Sequence, residues 1–282
     1  MRMNVKSIAR RSRRPLALGA MMLSALALRA SAVSVSPVAL YITDRTRTGT
    51  LTLYNPGSRA EEIEVDFGFG YPQSDEEGNV SVPIVESAPE GQPSAVEWLR
   101  AFPRRLVLEP GQRQVVRVVV QPPAGLEAGE YWGRVLVRSR GGQPPIEQSD
   151  GAVRMQIDVE TVVVIALSYR NGEVATGLRV DGATATRSDS TVVGTIDLAR
   201  TGNAAFIGRV QAEVLDAGGR VLGTSEEVLA VYHTIRRRLA VTVPANAQGP
   251  LRVRFTMDTE RDDLPPGAPL PFNGMTHLVE VE

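Results

Sequence analysis

GAVRMQIDVETVVVIALSY, residues 151–169, is the stretch that decides the fold. Val153, Met155, Ile157 and Val159 alternate with Arg154, Gln156, Asp158 and Glu160. An apolar side chain at every second position marks a β-strand with one oily face. β-branched residues then run on through Val162, Val163, Val164 and Ile165. The stretch follows a polar loop at 138–150 that contains Gly and Pro, and it lies between two β-rich halves. It reads as a strand at a domain junction whose edge is offered to a partner chain, because unpaired main-chain groups on an edge strand are a template for pairing.

Outward from this strand the same habit repeats. Short runs rich in Val, Leu, Ile and Thr are separated by Gly, Pro and Asn, with almost no helical period, which is an all-β pattern. The first half predicts strands at 33–43, 49–55, 62–69, 97–108, 114–121, 131–139 and 153–167. The second predicts them at 177–180, 191–199, 205–215, 221–231, 237–243, 251–257 and 277–281. Seven short strands per half predict two immunoglobulin-like β-sandwich domains in tandem, at 33–165 and 166–282. Pro and Gly stand where tight turns want them in Asn55-Pro56-Gly57 and Glu109-Pro110-Gly111, and Asp216-Ala217-Gly218-Gly219 reads as a hairpin turn. Residues 71–94, polar and acidic at Asp75-Glu76-Glu77, read as an exposed loop. Strong β character through 162–167 leaves no place for a floppy linker, so a short stiff connection is expected.

The first 32 residues stand apart. A basic segment with Arg2, Lys6, Arg10, Arg11, Arg13 and Arg14 precedes an apolar run at 16–28 and the small residues Ala30-Ser31-Ala32, the pattern of a cleavable signal peptide. Thirteen apolar residues are too few to span a bilayer, which takes about 20, so no stable membrane insertion is expected after cleavage. Ser12-Arg13-Arg14 resembles a twin-arginine signal, and the general secretory route is the alternative. Seven of the 31 basic residues lie in 1–32 and none of the 32 acids does, which leaves the rest of the chain at −8. That charge disfavours nucleic acid. The chain has no cysteine, so hydrophobic cores rather than disulfides must hold it.

Residues for catalysis are scarce. His233 and His277 are the two histidines, each on a strand-like segment without a ligand pattern. Glu226-Glu227 and Asp262-Asp263 are adjacent acids that point apart rather than across a cleft. No phosphate loop or nucleophile elbow occurs. The reading is a non-enzymatic protein with no metal and no cofactor. Arg236-Arg237-Arg238 reads as stems lying along a sheet. Arg117 interrupts the apolar strand 114–120, and a partly buried charge there would need a carboxylate.

Several pieces of the first half, in order, resemble the periplasmic pilus-assembly (fimbrial) chaperones: Ser36-Pro37 opening the first strand, Leu51-Thr52-Leu53-Tyr54-Asn55, Arg105-Leu106-Val107-Leu108-Glu109-Pro110-Gly111-Gln112, Gln114-Val115-Val116-Arg117-Val118, and the junction strand ending in Tyr169-Arg170. The likeness covers about 33–170. It implies two immunoglobulin-like domains in a boomerang arrangement, a periplasmic location, and a role in fimbrium biogenesis and cell-wall organisation. The junction strand, with Val153, Met155, Ile157 and Val159 as its client-facing stripe, would complete the sandwich of a secreted or pilus-like β-rich subunit. An outer-membrane usher is the further partner the family implies. Resemblance also places an interdomain salt bridge at Arg117, Glu130 and Asp258. The family's two basic carboxylate anchors fall here at Ala39 and Ala166, with Arg45 and Arg170 as substitutes. The alternative reading is a structural or adhesive immunoglobulin-like module of an envelope or surface assembly, its alternating strand paired within its own sheet.

Overall fold

The computed structural model describes residues 33–141, 146–150, 153–157, 159–265 and 267–282, without side chains in 142–158; the expected signal peptide lies outside them. The strands of the first half are β1 (Ser34–Ser36), β2 (Ala39–Thr43), β3 (Thr48–Tyr54), β4 (Glu61–Gly68), β5 (Gln73–Ser74), β6 (Val80–Ser81), β7 (Leu99–Phe102), β8 (Arg105–Leu108), β9 (Arg113–Val120), β10 (Gly129–Arg140), β11 (Ile146–Asp150), β12 (Val153–Ile157) and β13 (Glu160–Asn171). The second half holds β14 (Thr176–Ser188), β15 (Thr191–Gly202), β16 (Phe206–Leu215), β17 (Val221–Val231), β18 (Thr234–Thr242), β19 (Arg252–Asp258) and β20 (Met275–Glu280).

Each half closes on its own core. Sheets β1-β3-β9-β7 and β2-β13-β10-β4-β8 face each other in the first, over Ile42, Leu51, Leu53, Val65, Val116, Val118, Val135, Leu167 and Tyr169. Sheets β14-β15-β18 and β17-β16-β19-β20 form the second, over Ile196, Leu198, Phe206, Val210, Leu239, Phe255 and Met257. The two-sandwich, all-β expectation is what the chain adopts. Among the described residues no helix is long and apolar enough to cross a membrane.

Three strands expected as single pieces are broken. The one at 33–43 splits at Pro37-Val38, so that β1 joins β3 in one sheet and β2 joins β13 in the other. The one at 97–108 splits at Pro103, sending β7 to β9 and β8 to β4. Proline has no N–H for a ladder and a fixed φ, and a chain that must switch sheets turns where pairing is already forfeit. The third, 153–167, falls into β12 and β13, with Val159 outside both. β13 pairs with β10 as far as Asn171, so the first sandwich's last strand ends six residues beyond the expected limit at 165, and β14 opens at Thr176.

Candidate functional site

β13 has unequal neighbours along its length. Against β10 it is antiparallel throughout, from Glu160 opposite Arg140 to Asn171 opposite Gly129. Against β2 it is parallel only from Ala166 opposite Ala39 to Arg170 opposite Thr43. From Glu160 to Ile165 it therefore has, among the described residues, a strand on one side only. β2 cannot reach back to cover that half, because the chain leaves through Pro37 for the other sheet. The side chains alternate as a strand demands: Ile165 (3% exposed), Leu167 and Tyr169 enter the core, while Val162 and Val164 stand outward at 40% and 43% exposed. A half-strand with open main-chain groups and apolar side chains in solvent is a pairing site.

On the outer face of this sheet, over β10 and so across β13 from the open edge, lies a groove of about 700 Å³, flanked by Val162 and Val164 on one side and by Ile84 and Val85 on the other. Arg138 sits at its end, 3.7 Å from Asp66 and 3.6 Å from Glu160. Such half-exposed pairs contribute little binding energy on their own.

The residues expected to form the client stripe divide between two places. Val153, Met155 and Ile157 are on β12, opposite Asp150, Gln148 and Ile146 of β11 in a two-stranded ribbon; their side chains lie outside the described part of the structure. Val159 is exposed just before β13. Val162 and Val164, which carry the open edge, were hidden in sequence because Val162-Val163-Val164-Ile165 is apolar on both faces.

Ala39 and Ala166 are register partners, so the two positions without basic anchors meet at the point where β2 begins. Arg134 stands opposite Ala166 on β10. It is 7% exposed, donates from Nε to the Gly70 carbonyl at 2.7 Å, and lies over the Tyr232 ring at 5.7 Å.

The expected cluster of Arg117, Glu130 and Asp258 does not form. Arg117 is on β9, in the opposite sheet, exposed and in register with Thr50 and Phe102. Val116 and Val118 take the core side, so Arg117 faces water and needs no carboxylate. Asp258 pairs with Arg209 at 2.8 Å, and Glu130 with Arg170 at 2.8 Å. That last pair does the joining expected of Arg117. Glu130 is 2% exposed and Arg170 6%. From Nη1 and Nη2 the guanidinium donates to the carbonyls of Gly267 (3.0 Å) and Ala268 (2.5 Å) in the second sandwich. Glu130 accepts from Trp132 Nε1 at 3.0 Å and from the Ala205 N–H at 3.3 Å. With its donors engaged, Arg170 is not free to hold a client carboxylate; Arg45 is exposed in the turn after β2.

Around this pair Phe69, Trp132, Ala205, Ile207 and Tyr232 form a third buried cluster that joins the sandwiches, with Trp132 edge-on to Tyr232 at 4.7 Å. Burial pushes the Tyr41 phenol well above its ordinary value, beneath the Arg170 guanidinium at 4.8 Å.

No protein-family model and no curated protein matches the chain. Among solved structures, the chain is similar to the Pseudomonas aeruginosa CupB2 chaperone, at 11% identity over 88% of this chain and 100% of that one, with a TM-score of 0.42. It is similar to the E. coli chaperone DraB at 15% identity over 89% and 96% (TM-score 0.40). The class 5 fimbriae chaperone CfaA aligns at 11% identity over 88% and 99% (TM-score 0.46).

Proposed function

We propose that this protein is a periplasmic chaperone, exported by its N-terminal signal, that binds a secreted or surface-fibre β-rich subunit by strand addition and performs no catalysis. The observation that carries this is the edge of β13 from Glu160 to Ile165, unpaired among the described residues, with Val162 and Val164 exposed on its outer face. Main-chain hydrogen bonds along the edge supply pairing, and alternate side chains of the added strand pack beside Val162 and Val164 on the outer face. Burying a Val-sized side chain is worth roughly 1.5–3 kcal/mol before ordering costs. Val153, Met155 and Ile157 of β12 are the sequence-derived candidates for further client contacts. An outer-membrane usher is the partner that would receive the subunit.

The test is capture by tagged residues 33–282 from the periplasm of the native cell, with mass spectrometry of the bound chain. An exported β-rich protein that is captured by the native sequence and lost with Val162→Asp plus Val164→Asp supports the proposal. Capture that ignores the double substitution would leave a structural or adhesive module as the reading.

A further inference from the structure

The first half, 33–171, holds thirteen arginines against eighteen acids, and its two sheets place their exposed arginines differently. On the outer face of β2-β13-β10-β4-β8, Arg105, Arg138 and Arg140 each meet a carboxylate, at Glu64 or Glu160. The facing sheet, β1-β3-β9-β7, has no acid in any of its four strands. Leu51, Leu99, Val116 and Val118 take its core side. By alternation Arg113, Val115 and Arg117 on β9, with Arg100 and Phe102 on β7, point to solvent. All five are exposed, Val115 at 52% and Phe102 at 58%. Among the described residues none of these three arginines pairs with a carboxylate. Arg113 lies over the Tyr54 ring at 5.0 Å, and Arg100 Nη1 donates to the Glu97 and Leu99 carbonyls at 2.9 and 2.7 Å.

Register sets these side chains side by side. Arg117 stands opposite Thr50 on one neighbour and Phe102 on the other. Arg100, two residues before Phe102, is its diagonal neighbour, at roughly 7–8 Å between backbones. Val115 lies between Arg113 and Arg117 along β9 and opposite Thr52. The face therefore alternates cations with exposed apolar side chains, and it has hydroxyls alongside. Like charges on adjacent strands repel, so an anionic partner relieves a cost that the free protein carries.

We infer that this face docks reversibly on an anionic phospholipid surface. A guanidinium stays charged and matches phosphate with a planar fork of donors. Long arginine stems hold their charged heads at the level of the lipid phosphates while Val115 and Phe102 pass just beneath them. Thr50 and Thr52 add neutral donors for phosphate oxygens. An acidic protein would answer the arginines too, but it would need apolar hollows of its own opposite Val115 and Phe102. A lipid surface supplies both kinds of contact wherever the face lands. The acids elsewhere on the molecule are repelled and turn this face towards the membrane. Three arginines and two apolar side chains make one weak signal, so the contact is reversible and salt-sensitive. The open edge of β13 belongs to the other sheet, about 10 Å away, and stays accessible to a client.

The test mixes residues 33–282 with vesicles of phosphatidylcholine and phosphatidylglycerol in equal parts at low salt and reads the bound fraction by sedimentation. Binding is expected there, with none on pure phosphatidylcholine. Arg100→Gln with Arg117→Gln should weaken it at least about tenfold, at roughly fivefold per arginine. Where the Arg100 bonds to the Glu97 and Leu99 carbonyls are needed for folding, Arg113→Gln with Arg117→Gln serves instead, and urea unfolding tells the two cases apart. Val115→Ser, which keeps every charge, should weaken binding as well. Arg138→Gln with Arg140→Gln removes as much charge from the other sheet and should leave binding near native. Absence of binding to the anionic vesicles overturns the inference, and so does an equal loss for the two sheets' arginine pairs. Binding of polyglutamate in place of the vesicles, unaffected by Val115→Ser, overturns it in favour of an acidic protein. No client takes part, so these results stand apart from strand addition.

Discussion

The two halves of β13 share a strand, a partner in β10 and an alternating side-chain pattern, and they differ in what lies on their other edge. From Ala166 to Arg170 that edge is filled by β2 and the outward face is covered by the second sandwich, so Ser168 and Arg170 are buried. From Glu160 to Ile165 neither cover is found among the described residues, and Val162 and Val164 are exposed at 40% and 43%. One half fastens the molecule together and the other is left to be completed. Rigidity at the fastened end holds the open end in an extended, pairing-ready shape, which lowers the ordering cost that binding would otherwise bear.

The largest expected effects come from treating the two faces of the open half alike. Ile165→Asp places a carboxylate in the core of the first sandwich and should cost about 4 kcal/mol or more, enough to lose the native state. Val164→Asp, one residue away on the outer face, should stay within about 0.5 kcal/mol of the native protein in urea unfolding. Equal destabilisation by both would mean that the edge is not open. At the fastened half, Arg170→Ala strands the buried Glu130 carboxylate and should cost roughly 3–5 kcal/mol. Arg170→Lys should recover only part of this, since an ammonium cannot span Glu130 and the Gly267 and Ala268 carbonyls together.

Binding comes next in size. Val162→Asp with Val164→Asp should weaken client capture at least about tenfold, equivalent to ~1.4 kcal/mol, with the melting curve preserved. Met155→Asp with Ile157→Asp on the β12 ribbon should weaken it too, and titration of the captured client against both double variants shows whether the site runs past Val159. Amidation of a client's C-terminal carboxylate should change affinity little, because Ala39 and Ala166 meet where basic anchors would stand and Arg170 is already engaged. A large loss on amidation would point first to Arg45, then to Arg134.

The smallest effect is a pH response of stability through His233, which bonds Gln92. Burial, assisted by the Arg200 charge, holds His233 below its ordinary value of 6.5. Neutral His233, bonded to Gln92 and edge-on to Trp132 and Tyr71, therefore stabilises the fold above that pH. This contribution is lost as pH falls through the depressed folded value. Unfolding measured between pH 7.5 and 5.5 should show the loss in the native chain and less of it in His233→Gln.

Much of this was legible in the chain. Alternation and turn residues are local, so Val65, Val116 and Val135 announce strands, and Pro56-Gly57 and Pro110-Gly111 announce turns, without knowledge of their neighbours. The absence of cysteine likewise determined that two packed cores must carry the stability. Alternation says which face of a strand is oily, however, and is silent about which edge is paired. That Glu160–Ile165 lies open among the described residues, that Arg170 rather than Arg117 joins the sandwiches, and that the exposed loop 71–94 bonds β18 were decided by contacts far apart in sequence, such as Ala39 beside Ala166 and Ser74 bonded to the Arg236 N–H. Strand pairing and burial of charge depend on what the rest of the chain brings alongside, and only the folded molecule supplies those neighbours.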